Sequence, residues 1–232
     1  MSNQMSNAPI VPGGPTPFFQ TWMKALTKPS EQTYAEMATS PDASAGKAYV
    51  WVFVTALISV FISAVINAVS IYLNQSSGQD NSSMLTGLVC AVPIFAGFSL
   101  LGFIIGTGLI QWIAGLFKGT GTFNQLAYVF GAISAPVSLV SSVLSIFYAI
   151  PFLGLCLWPV SILLVVYVLV LQTMAVKGVN RFGWGEAAGS VLIPLVVFVC
   201  LLGVCVIGAL MVMGPAIGNV FSSINQSLQS VP

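Results

Sequence analysis

Between Lys118 and Lys177 the chain runs for 58 residues without one charged side chain. As a single helix this stretch would be about 87 Å long at 1.5 Å per residue, so it must fold back on itself. The rest of the chain has the same character: 6 Lys and Arg and 5 Asp and Glu among 232 residues, 5% charged and 57% hydrophobic. Soluble domains carry about 25% charged residues, so the uncharged surface of this chain faces lipid rather than water.

The same scarcity removes classes of chemistry. With no histidine there is no Ser-His-Asp or Cys-His nucleophile, no imidazole base and no His-containing metal site. Of the five carboxylates, Glu31, Glu36, Asp42 and Asp80 fall outside the spans and Glu186 stands at the very start of the last, so none is expected within the hydrocarbon and no intramembrane acid–base pair is available. Cys90, Cys156, Cys200 and Cys205 have no CxxC spacing and read as small hydrophobes. Six scattered basic residues make no phosphate-binding stripe, so nucleic acid is not an expected partner. The expectation is a protein that is not an enzyme and carries no cofactor.

Charge positions and turn residues divide the chain into five spans: 48–73, 85–116, 123–150, 158–176 and 186–213. The reversal between the third and fourth is expected at Pro151, Gly154 and Pro159. The predicted fold is an all-α integral membrane protein, a five-helix transmembrane bundle with a short N-terminal interfacial amphipathic helix. Its parts are a disordered tail at 1–15, an interfacial helical segment at 16–47, the membrane domain at 48–213 and a C-terminal tail at 214–232. With five spans, Lys24, Lys28, Lys47, Lys118, Lys177 and Arg181 all fall on the side of the N terminus, which the positive-inside rule makes cytoplasmic. Trp51, Trp112, Trp158 and Trp184 lie near span ends, as amphipathic indoles do. The N terminus has neither a basic nor an apolar leader region, so no cleaved signal peptide is expected.

Before the first span, Thr16-Pro17 reads as an N-cap and first helical residue. Phe18, Phe19, Trp22, Met23 and Leu26 then share one helical face, and Pro29 ends the segment. Such a helix lies on the leaflet or docks on the bundle, with partner recruitment as the alternative.

Within the spans the informative residues are small and polar. Thr55, Ser59, Ser63, Asn67 and Ser70 line one face of span one, and Ser134, Ser138, Ser141 and Ser145 one face of span three. Gly102 and Gly106 in span two, and Gly185 and Gly189 at the start of span five, have the spacing that lets helices approach closely. These are read as packing faces, with Asn67 expected to hydrogen-bond a neighbouring helix. The competing reading is a hydrophilic pathway, which lacks the ionisable group that such routes usually carry. Pro93 and Pro136 are expected to kink their spans. Span four, nearly uniform in Val and Leu, is expected to face lipid on most sides.

Two segments, WMKALTKPSEQTYAEMATSPDASAGKAYVW before span one and LFKGTGTFNQLAYVFGAISAP leading into span three, resemble the Yip family of five-span membrane proteins. The second has local logic, since Thr122 and Gln125 match a capping box. The resemblance covers about residues 20–210 and is greater to the prokaryotic branch. It implies a cytosolic N terminus, five spans and self-association. Eukaryotic members, named for interaction with Rab-type GTPases, carry an Asp-Leu-x-Gly-Pro-like segment that this sequence lacks, which argues against such a partner. Asn74, Asn81 and Asn225 match the N-glycosylation pattern on the expected non-cytoplasmic side.

The function expected is therefore that of a membrane organiser or accessory subunit whose partners are the bilayer and other membrane proteins or a second copy. The alternatives are a transporter or channel for a small neutral solute and a GTPase-interacting trafficking protein. A prokaryotic plasma membrane is the expected location, with an endomembrane as the alternative.

Overall fold

The structure, a computed structural model, describes residues 18–73, 82–148, 150 and 152–229, so the tail at 1–15, Thr16-Pro17, Asn74 and Asn81 lie outside the described residues. Among the described residues seven helices follow one another: α1 (Phe18–Thr27), α2 (Glu31–Ala38), α3 (Ala45–Leu73), α4 (Ser82–Leu116), α5 (Phe123–Tyr148), α6 (Leu153–Asn180) and α7 (Trp184–Gln229). Five of them are long and apolar enough to cross a membrane, over Ala45–Ser70, Cys90–Leu116, Phe123–Tyr148, Leu153–Asn180 and Trp184–Pro215. The protein is an all-α, multi-pass membrane protein.

By contact the chain divides into two units, 1–191 and 192–232. In the first, α5 is the hub: it packs on α3, α6, α1, α4 and α2. Every residue from Leu126 to Ile133 is buried, so this part of α5 meets protein on all sides. The tightest approach is to α3. A Cβ added at Gly131 would stand 2.6 Å from the Ala48 Cβ, so only glycine allows these two backbones their separation. The second unit is the remainder of α7, and its side chains from Leu195 to Met213 are exposed all round. A helix that is apolar on every face suits a hydrocarbon environment.

Several element bounds differ from the sequence expectation. Helix α5 ends at Tyr148 and α6 starts at Leu153, so Gly154 and Pro159 lie inside α6, while Pro151 lies outside the described residues. Helix α6 also continues past Lys177 to Asn180, where Arg181 adopts the left-handed conformation (φ 55°) and donates its backbone N–H to the Lys177 carbonyl. Its Lys177-proximal end is buried at Leu171, Ala175, Val176, Val179 and Asn180, whereas Leu155, Trp158 and Leu163 are exposed, so only one half faces outward. Helix α7 runs on through Pro215 to Gln229, and Asn225 falls within it.

The N-terminal segment holds two helices rather than one. Ser30 caps α2 by accepting the Thr33 N–H, directly after Pro29 has ended α1. Helix α1 packs on α5 and α2 packs on α6. The face of α1 that is buried carries Thr21 and Ala25, with Trp22 and Leu26 packed against the core, while Phe18, Phe19 and Met23 are exposed. The five aromatic and aliphatic residues expected on one face are thus divided between two environments.

Candidate functional site

All six basic residues belong to the segments around one end of the bundle, and the polar chemistry of the first unit concentrates there. Lys24 pairs with Glu36 at 3.0 Å, Lys47 with Asp42 and Lys177 with Glu31. The last pair ties α6 to α2, and the Lys177 ammonium also sits 4.6 Å from the centroid of the Trp184 ring. Beside it, a Cβ at Gly178 would stand 2.5 Å from the Glu31 carbonyl oxygen, so α2 lies directly on the α6 backbone. Tyr34 is fully buried and donates to the Ala25 carbonyl at 2.8 Å, which joins α2 to α1. Burial, with Tyr167 adding to it, pushes the Tyr34 phenol above its usual range and keeps it a neutral donor. Tyr167 in turn donates to the Leu26 carbonyl at 2.6 Å.

Beneath this layer lies a knot around Asn180, which is 1% exposed. Its Oδ1 accepts from Gln111 Nε2 at 3.0 Å and from the Gly121 N–H at 3.2 Å, and its Nδ2 donates to the Val176 carbonyl at 3.1 Å. Gln111 Nε2 also donates to the Gly121 carbonyl at 2.7 Å, and the Thr120 N–H to the Asn180 carbonyl at 3.2 Å. A Cβ at Gly119 or Gly121 would collide with the Asn180 side chain, which explains the glycines of the turn. The capping box forms: the Thr122 N–H donates to Gln125 Oε1 at 3.0 Å and the Gln125 N–H to Thr122 Oγ1 at 3.4 Å. Helices α4, α5 and α6 are therefore locked together at one end by buried, mutually satisfied polar groups.

The residues expected to pack helices are brought together only in part. Ser59 Oγ donates to the Ser138 carbonyl at 3.3 Å, and Ser142 Oγ donates to Ser59 Oγ at 2.6 Å, a hydroxyl bridge between α3 and α5. Ser142, buried and absent from the expected set, is the better placed partner, while Ser141 is exposed. Ser134 and Ser138 are half-buried, and Ser145 donates to the Ser142 carbonyl of its own helix. Asn67 does not reach another helix: its Nδ2 donates to the Ser63 carbonyl of α3 at 2.7 Å, and Ser63 Oγ to the Ser59 carbonyl at 3.0 Å. Both side chains are exposed. At Gly102 and Gly106 nothing lies within 4 Å of where a Cβ would sit, so no close approach is made there within the chain, nor at Gly185. The close approaches are at Gly131 and Gly178 instead. Both stand where a second helix supplies the backbone or Cβ, which spacing along one helix does not reveal.

Between α3 and α4 the structure leaves a groove of about 570 Å³, lined by Ser59, Val60, Ser63, Ala64, Asn67, Ala91, Phe95, Phe98 and Ser99. Ser59, Val60 and Ser99 also line a second cavity of about 350 Å³ that reaches Val52 and Phe103.

The family model that describes the Yip1 domain matches residues 23–207. No curated protein and no solved structure matches the chain.

Proposed function

The chain belongs to the Yip1 domain family, and from that premise we propose that it is a non-catalytic organiser or accessory subunit of a membrane assembly. The observation that carries this reading is the folded platform at the charged end. There α1 and α2 are fixed on α5 and α6 by Gly178, Tyr34 and the Lys177–Glu31 pair, while Phe18, Phe19 and Met23 are left exposed beside Lys24 and Lys28. Among the described residues two ion pairs, Lys24–Glu36 and Lys177–Glu31, join helices, and Lys47–Asp42 ties the start of α3 to the turn before it. What the platform offers outward is contact area of mixed apolar and basic character, suited to a membrane surface or a protein lying on one. The positive-inside rule supports reading this end as cytoplasmic, since all six basic residues lie in the segments on the side of the N terminus when five spans are counted.

The test is quantitative co-purification from mild detergent of the full chain and of a variant carrying Phe18→Ala, Phe19→Ala and Met23→Ala. An organiser of this kind brings a stoichiometric companion, and the triple variant loses it while keeping its own elution profile. A wild-type chain that elutes as a lone monomer in several mild detergents would remove the reading.

A further inference from the structure

Helix α1 ends beside the spans, not above them. The Tyr167 hydroxyl donates to the Leu26 carbonyl at 2.6 Å. Tyr167 stands 10 residues before Lys177 in α6, about 15 Å along the helix at 1.5 Å per residue. Lys177 pairs with Glu31 and lies against the Trp184 ring, the surroundings of a residue at the edge of the hydrocarbon. A hydrocarbon core is about 30 Å thick, so Tyr167 belongs to its interior. Helical side chains lean towards the N-terminus, which in α6 is the end away from Lys177, so the phenol does not lift Leu26 back to the surface. Trp22 gives a second mark of depth. Its ring meets Trp51 edge-on at 6.1 Å between centroids, and Trp51 lies one turn past Lys47 in α3.

The polar groups of α1 are arranged for a place without water. A helix leaves its last carbonyls without intrahelical partners, and at a wet surface water completes them. Here the Lys24 carbonyl accepts the Lys28 N–H at 3.2 Å, the Ala25 carbonyl accepts the Tyr34 hydroxyl at 2.8 Å and the Leu26 carbonyl accepts the Tyr167 hydroxyl. Two of these donors are phenols sent from other helices, the protein partners that backbone requires in hydrocarbon. Around the helix, Thr21 and Ala25 are buried against the bundle. Gln20 and Lys24 share a cavity with Glu36 and Met37 of α2, and Lys24 pairs with Glu36. At 100° per residue Phe19 and Met23 fall on the other flank, where they are 61% and 44% exposed. Lys28, just past the helix, has a stem long enough to carry its ammonium to the headgroups.

We propose that α1 is immersed in the leaflet at the charged end, with acyl chains covering its Phe19 and Met23 flank and the Tyr34 and Tyr167 hydroxyls standing in for water at its last turn. The assignment rests on the five spans and not on the organiser reading, since a chain without a companion would bury α1 in the same way.

Spin-label depth measurement tests it. In the full chain, with Cys90, Cys156, Cys200 and Cys205 replaced by Ala, a label is placed at Met23→Cys, and at Val170→Cys and Arg181→Cys as references. Val170 is an exposed residue of α6 between Tyr167 and Lys177, and Arg181 is exposed beyond the end of that helix. Each chain is reconstituted singly in phosphatidylcholine nanodiscs. The ratio of collisions with oxygen to collisions with a nickel chelate should be similar at Met23 and Val170, and severalfold higher at both than at Arg181. Tyr167→Phe removes the donor to Leu26, and loss of one neutral hydrogen bond should speed amide hydrogen exchange across residues 18–28 by about fivefold. Elution volume and thermal midpoint in detergent confirm that each variant folds. A Met23 ratio equal to that of Arg181 would place α1 in water and overturn the proposal. Low collision with both reagents at Met23 would overturn it too, by assigning the flank to protein atoms, as would unchanged exchange in folded Tyr167→Phe.

Discussion

The two halves of α5 contain similar residues and live in different solvents. From Leu126 to Ile133 every side chain is buried, whereas Val140, Val143, Ile146 and Phe147 are 45–52% exposed. The first half buries Ala127, Ala132 and Ala135 and meets α3 backbone to backbone at Gly131; the second touches α3 at the Ser59–Ser142 bridge. In a bilayer, leaving an apolar side chain exposed to lipid costs little, so burial is not driven by hydrophobicity along the whole span. Close backbone approach and buried polar bonds provide the attraction instead, and both are gathered at the charged end.

The largest expected effect follows from breaking that half. Gly131→Leu forces a side chain into Ala48, an overpacking worth about 1–3 kcal/mol or more, and should abolish the monodisperse peak in detergent. Gly102→Leu and Gly106→Leu, where nothing stands within 4 Å, should leave peak and thermal midpoint unchanged unless another chain packs there.

Next is Asn180→Leu. Removing this amide strands the Gly121 N–H, at about 1–3 kcal/mol, while Gln111 keeps its bond to the Gly121 carbonyl. The thermal midpoint should fall by several degrees, and Gln111→Leu in the same chain should lower it further by stranding the Gly121 carbonyl.

Tyr34→Phe is smaller, about 1 kcal/mol for one buried hydrogen bond. It also has a pH signature. The folded-state phenol is held above its unfolded value of about 10, so its contribution is complete below that pH and is lost as pH rises further. The wild-type chain should lose α1–α2 docking at alkaline pH more steeply than Tyr34→Phe, as read by protease sensitivity near Pro29. Smallest of all, Ser142→Ala should cost about 0.6 kcal/mol through the inter-helix bridge, and Ser141→Ala, exposed to lipid, should cost nothing measurable by the same thermal assay.

What the sequence reveals and what it conceals divide along the same line. Runs of uncharged residues set the number and order of spanning helices because solvent, not packing, decides them. Capping at Thr122 and Gln125 is equally legible, since both partners lie three residues apart. Helix α2 is harder to foresee: EQTYAEMA has no apolar stripe, and its burial of Tyr34 and Met37 depends on α1 and α6. Lys177 looked like the end of a span because charge marks water, yet the helix continues because Gly178 and Asn180 are covered by other elements. Ser141 and Ser142 lie three and four residues beyond Ser138, equally good continuations of its stripe until Ser59 of α3 selects one. Gly102 and Gly106 have the right spacing without an approaching helix in the chain.

The comparison is tested most directly by an oxygen-accessibility scan of spin labels placed singly along α5, from Leu126 to Tyr148, in a lipid bilayer. Accessibility should stay low from Leu126 through Ala135 and then rise with helical periodicity, with maxima near Val140, Val143 and Phe147. A periodic rise already within Leu126–Ala135, or equal accessibility along the whole helix, would contradict a bundle held together at its charged end.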